Sequence, residues 1–81
     1  MKVRVLYFAV ARDLAGASEE LLELPHGATI VTARCAIEAR HPALAATDTR
    51  LRVAKNEVFA GEGESLAEGD VLALIPPVAG G

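Results

Sequence analysis

Glu68-Gly69-Asp70-Val71-Leu72-Ala73-Leu74-Ile75-Pro76-Pro77-Val78-Ala79-Gly80-Gly81 closes the sequence, and the fold is read from this stretch. Glu68-Gly69-Asp70 has turn chemistry. Val71 to Ile75 is an apolar run of strand length. Pro76 and Pro77 end it, because proline has no N–H to donate to a ladder and holds φ fixed. If Leu72 and Leu74 face the core, Val71, Ala73 and Ile75 face outward. The expected division is a folded domain over residues 1–75 and an extended tail over 76–81. Six residues at roughly 3.3 Å each carry the end of that tail about 20 Å past the last strand.

Gly80 and Gly81 bury nothing and lose the most backbone entropy when ordered, so they are a poor way to finish a fold. They are well suited to presenting a carboxyl group in a channel too narrow for any side chain. A frayed end is the ordinary fate of a terminus. It needs neither a Pro-Pro stiffener nor a Gly-Gly tip, so the tail is read as functional and Gly81 as its working end.

Upstream, Lys2-Val3-Arg4-Val5-Leu6-Tyr7-Phe8 alternates as a half-buried strand, with Val3, Val5 and Tyr7 on one face and Lys2, Arg4, Leu6 and Phe8 on the other. Arg12 to Gly16 reads as a loop or a single helical turn. Glu20 to Leu24 is a second strand with Leu22 and Leu24 inward. After Pro25-His26-Gly27, Thr29 is the N-cap of a helix from Ile30 to about Arg40, ended by Pro42. Ile30, Ala33 and Ile37 form its thin apolar stripe, helped by Ala36. Ala43 to Thr49 is a connector. Leu51 to Ala54 is a third strand, Asn56 sits in a turn, and Val58-Phe59 makes a short fourth. Gly61 to Glu64 is a solvated loop and Leu66 a core residue. The order β-β-α-β-(β)-β is that of the β-grasp, an α+β fold with a mixed sheet of four to five strands and one main helix on one face. Its first and last strands pair in parallel at the centre. This leaves Phe8 and Ile75 away from the helix, as an apolar patch at the root of the tail.

The composition narrows the function. Eighty-one residues make one domain with a small core, and 52% hydrophobic residues suffice to build it without disulfides or metal. Net charge is −3, the arginines are scattered, and Lys2 and Lys55 are the only lysines, which argues against nucleic acid. No apolar run approaches the roughly 20 residues of a membrane span, and Met1-Lys2-Val3 opens directly on a strand pattern, so neither membrane nor signal peptide is expected. A single cysteine, Cys35, excludes a disulfide framework, a tetra-thiolate zinc site and an iron–sulfur cluster, and fits a reducing cytoplasm. It is expected as a small core or boundary residue. His26 and His41 are expected in turns, with no metal site. No catalytic set of side chains is visible.

Four stretches carry a resemblance over the whole chain: Val5-Leu6-Tyr7-Phe8-Ala9 with Arg12; Ala28-Thr29-Ile30; Val53-Ala54 with Asn56; and Leu66-Ala67-Glu68-Gly69-Asp70-Val71 running into Pro76-Pro77-Val78-Ala79-Gly80-Gly81. Together they resemble the ThiS/MoaD ubiquitin-like family, and within it the small, sulfur-carrying subunit of molybdopterin synthase. The last stretch is the specific one. The chain departs from the family where Ala33 and Arg34 replace leucines, where Lys55 replaces a hydrophobic residue, and where Ala79 replaces a commoner Ser or Thr.

The resemblance implies a carrier and not a catalyst in itself. An adenylating activating enzyme would use ATP to turn the Gly81 carboxylate into an acyl-adenylate. A sulfur donor would displace AMP, leaving a thiocarboxylate. The large subunit of the synthase would then pass the sulfur to precursor Z, cyclic pyranopterin monophosphate. It also implies a cytoplasmic heterotetramer of two small and two large subunits, with no bound cofactor and with the catalytic side chains in the large subunit. Gly80 and Gly81 would be the reacting end. Phe8, Arg12, Phe59, Ile75, Pro76, Pro77, Val78 and Ala79 would be the partner-binding residues, with Arg12 at the rim. Sulfur carriage for thiamine or tRNA thiolation, a ubiquitin-like protein modifier, and a plain binding module remain open alternatives.

Overall fold

Lys2–Tyr7 forms the first strand, β1, and its alternation is the one expected: Val3, Val5 and Tyr7 are buried while Lys2 and Arg4 are exposed. The computed structural model describes residues 1–46 and 51–76. Its remaining elements are α1 (Val10–Ala15), β2 (Glu19–Glu23), α2 (Ile30–Arg40), α3 (Pro42–Ala46), β3 (Arg52–Lys55), β4 (Val58–Phe59) and β5 (Val71–Ile75).

The five strands make one sheet in the order β2-β1-β5-β3-β4. β1 and β5 run parallel at its centre, with Val5 beside Leu72 and Tyr7 beside Leu74, and the other pairs are antiparallel. A parallel pair needs a long crossover. Everything between residues 8 and 70 supplies it, and α2 lies within that crossover. The β-grasp expectation is met.

One apolar core fills the space between the sheet and the helices. It joins Val3, Val5 and Tyr7 with Leu22, Leu24, Ile30, Ala33, Ile37, Leu44, Leu51, Val53, Leu66, Leu72 and Leu74. The stripe read from α2 is therefore correct: Ile30, Ala33 and Ile37 are all buried. The start of α2 is tied down from two sides. The Thr29 N–H donates to the Thr32 Oγ1 at 3.1 Å, and the two hydroxyl oxygens are 3.3 Å apart. The N–H groups of Ile30 and Val31 donate to the carbonyls of Glu64 and Glu62, both at 3.0 Å. The Gly61–Glu64 loop thus satisfies donors that every helix start leaves unpaired.

Four local expectations are corrected. A helix, α1, begins at Val10, earlier than the loop or turn read at Arg12–Gly16. Alanine-rich residues 10–15 favour it, and Gly16 closes it in the left-handed conformation at φ 75°. The connector from Ala43 contains a second short helix, α3, because Pro42 takes a first helical position after ending α2; Thr47 to Thr49 lie outside the described residues. The third strand is shifted by one residue to Arg52–Lys55, with Leu51 buried just ahead of it. Cys35 is exposed and not a core or boundary residue, since it falls on the solvent side of α2, off the Ile30–Ala33–Ile37 stripe.

Candidate interaction surface

The face of the sheet turned away from the helices holds the candidate site. Register sets one row straight across it: Leu6 beside Ala73, Ala73 beside Ala54, and Ala54 beside Phe59. Ala54 and Ala73 are small, so larger neighbours stand above them. The result is a groove of about 330 Å³ lined by Leu6, Phe8, Ala54, Glu57, Phe59, Val71, Ala73 and Ile75. Phe8 is 47% and Phe59 51% exposed. Ile75 is half-buried, and not fully exposed as the strand alternation alone implies, because β1 and β3 flank it.

Of the residues singled out in the sequence, Phe8, Phe59 and Ile75 are brought together in this groove. Pro76 follows Ile75 directly. Arg12 is exposed on α1, where its backbone N–H donates to the Phe8 carbonyl, but its side chain does not line the groove. Pro77, Val78, Ala79, Gly80 and Gly81 lie outside the described residues.

Sequence reasoning missed three constellations. The Arg52 guanidinium lies 3.8 Å from the centroid of the Phe59 ring, a cation–π contact at the wall of the groove. Its signal was the register of β3 against β4, which cannot be read before the turn is known. On the opposite side of the sheet, Glu20 Oε1 accepts a short hydrogen bond from the Tyr7 hydroxyl and lies 2.6 Å from His41 Nε2. His41 is thus the C-cap of α2 and part of a polar cluster, more than the turn residue expected; its ring also meets Tyr7 edge-on at 5.7 Å. Burial, then the Glu20 hydrogen bond, pushes the Tyr7 hydroxyl well above its ordinary range. Burial alone would raise Glu20, but hydrogen bonds from Tyr7 and His41 and the charges of His41 and Arg40 outweigh it and hold the carboxyl low.

The third constellation is a clamp beside the groove. Asn56 and Glu57 both have positive φ, 51° and 73°, the conformation of a two-residue hairpin turn whose twist matches the strands. The Asn56 Nδ2 donates to Asp70 at 3.0 Å, and Asn56 Oδ1 accepts from the Val71 N–H at 2.9 Å. Asp70 also accepts from the Ala67 N–H at 2.8 Å, and these bonds from Asn56 and Ala67 lower its carboxyl. Lys55, the departure from a hydrophobic residue, sits on the core side at the sheet margin and reaches out to the Ser65 carbonyl at 3.1 Å. Among the described residues, no group of three His, Cys, Asp or Glu could hold a metal ion, and no helix is long and apolar enough to cross a membrane.

The sheet order, the parallel central pair, α2 on one face and the open groove on the other define a ubiquitin-like β-grasp domain. The ThiS family matches residues 5–81, and the chain belongs to it. It is 39% identical over 83 residues to the molybdopterin synthase sulfur carrier subunit of Chlamydomonas reinhardtii, covering all of both chains. Against the human protein of that name identity is 32%, covering 99% of this chain and 94% of that one. Among solved structures, SAMP1 from Haloferax volcanii, a small archaeal modifier protein, is similar with a TM-score of 0.88, at 32% identity and complete coverage of both chains.

Proposed function

We propose that this protein is the sulfur carrier of molybdopterin synthase, working through the carboxyl group of Gly81. The observation that carries the reading is similarity over the full length to relatives called sulfur carrier subunits of that synthase. The groove supports it, because central strand β5 ends at Ile75 on the groove wall and leads directly into Pro76 and the tail.

In this reading residues 1–75 are the docking body and 76–81 the reactive arm. A carboxylate is a poor electrophile: its charge is delocalised and its oxygen is a bad leaving group. An activating enzyme therefore adenylates Gly81 with ATP, and a sulfur donor displaces AMP to give the thiocarboxylate. The protein binds no cofactor of its own. The large subunit takes the charged tip into a channel that admits Gly80 and Gly81 for want of side chains, and supplies the catalytic groups that move sulfur to precursor Z. Phe8, Phe59 and Ile75 seat the partner, Arg12 lies at the rim, and Pro76 to Ala79 thread the approach. The assembly is a heterotetramer of two small and two large subunits in the cytoplasm.

Deleting Gly81 tests this. Sulfur transfer by the reconstituted synthase should fall to background while the melting temperature stays within about 1 °C, since a terminal glycine has no side chain to bury. A truncated protein that still supports molybdopterin synthesis would refute the carrier reading.

The likeness to a small archaeal modifier protein favours a second role, covalent attachment through the same carboxyl group. That role predicts ATP-dependent conjugates of higher mass that survive denaturation and thiol reductants, and carriage alone predicts none.

A further inference from the structure

We infer that Arg52 is a specificity-determining residue of the docking groove, which selects a partner that brings a carboxylate onto the guanidinium beside an apolar side chain seated in the groove. The inference rests on the carrier reading above and goes beyond it by giving the groove a direction.

Three observations carry it. The first is placement. Arg52 pairs in register with Ile75, the last residue of β5, so it borders the groove at the end where that strand stops, and it also lines an adjoining pocket with Arg34, Leu51 and Glu62. The second is preorganisation. The guanidinium carbon lies 3.8 Å from the centroid of the Phe59 ring while the residue stays exposed, so the ring restrains a guanidinium that solvent still reaches. A planar fork held in this way matches a carboxylate with two parallel hydrogen bonds, and less side-chain freedom is lost when one docks.

The third is polarity. Arg4, Arg34 and Arg40 each lie within 4 Å of a carboxylate, on Glu19, Glu62 and Glu20, whereas Arg52 has no ion pair among the described residues. Glu57, the acidic residue of the groove lining, belongs to the turn at the far end of β3. The residues from 52 to 55 span about 10 Å of strand. The groove is therefore apolar along its floor, with Arg52 bordering the end where β5 stops and Glu57 lining the opposite end. An occupant of matching polarity can dock in one direction, which fixes where the tail points relative to it.

The test is binding of the synthase large subunit from the same organism to wild type, Arg52→Gln, Arg52→Lys and Ile75→Asp, each at low and at high salt. Arg52→Gln should weaken binding about tenfold at low salt, as expected for loss of a charge-assisted pair, and flatten the salt dependence. Arg52→Lys should recover the salt slope but only part of the affinity, because an ammonium restores charge without the fork. Thermal melts of both Arg52 variants should match wild type. If Ile75→Asp weakens binding but Arg52→Gln leaves both affinity and salt slope unchanged, the Arg52 inference is wrong and the groove reading stands. If wild type fails to bind the large subunit, the carrier reading itself falls and takes this inference with it.

Discussion

Ala9 has φ 50° and ψ −125°, a combination that L side chains rarely adopt and glycine adopts freely. It sits between Phe8, a wall of the groove, and the start of α1. Its carbonyl accepts from the Arg12 and Asp13 N–H groups, at 3.1 and 3.3 Å, and the Phe8 carbonyl accepts from Ala11 at 3.0 Å. The chain must reverse within one residue to send α1 back over the core, where Ala11 is fully buried. These contacts hold Ala9 in a conformation costing on the order of 1–3 kcal/mol. Ala9→Gly should therefore raise stability by about 1 kcal/mol, read from the urea midpoint, the added freedom of glycine in the unfolded chain offsetting the rest. A drop in stability would mean that the strain is absent.

At the scale of elements, what joins α2 to the first hairpin is the Tyr7–Glu20–His41 cluster, which links β1, β2 and the helix end. Its pH dependence has a definite sign. The Glu20 carboxyl is held low in the fold, so its contribution is complete above the ordinary carboxylate range and is lost as pH falls through the depressed folded value. Tyr7 is raised, so its contribution is complete below the ordinary tyrosine range and fades as the pH climbs above it. Glu20→Gln should cost about 1–2 kcal/mol at neutral pH, and the gap from wild type should narrow as the solution is acidified toward pH ~3. Urea titrations of both proteins at the two pH values measure that gap. A gap that is constant with pH would assign the loss to shape and not to charge.

Elements with a strong period were legible: the alternation of β1, the stripe on α2, and the Leu72–Leu74 face of β5 all follow from which side chains can share a core. Phe8 and Ile75 could be turned outward by the same rule, and so the groove was partly visible. Its floor at Ala54 was not, because that position depends on the pairing of β3 with β5, a contact across the crossover. The Asn56–Asp70 clamp escaped for the same reason: each residue signals a turn, but nothing local says that the two turns touch. Cys35 was misread although the helical period already turns it to the side opposite the stripe, and His41 was underread because its partner Glu20 lies on β2, a contact that nothing local to the helix end gives.

For the whole molecule, the two faces of one sheet are given different work. One is closed by the helices and holds the core of the described residues. The other is left open around Leu6, Phe8, Phe59 and Ile75, at the end of the central strand β5. The proposed carrier would use this separation, since its reactive end would have to leave one enzyme and enter another without disturbing the body that carries it. Intact-mass and fragmentation analysis after incubation with the activating enzyme, ATP and a sulfur source tests that most directly. The account predicts an ATP-dependent gain of about 16 Da, sulfur for oxygen, mapping to Gly81 and unchanged in Cys35→Ser; because Cys35 is exposed, a sulfenic acid there would add a similar mass and a persulfide about 32 Da, so location decides. Sulfur found on Cys35, or no change at Gly81 with an active activating enzyme, would contradict it.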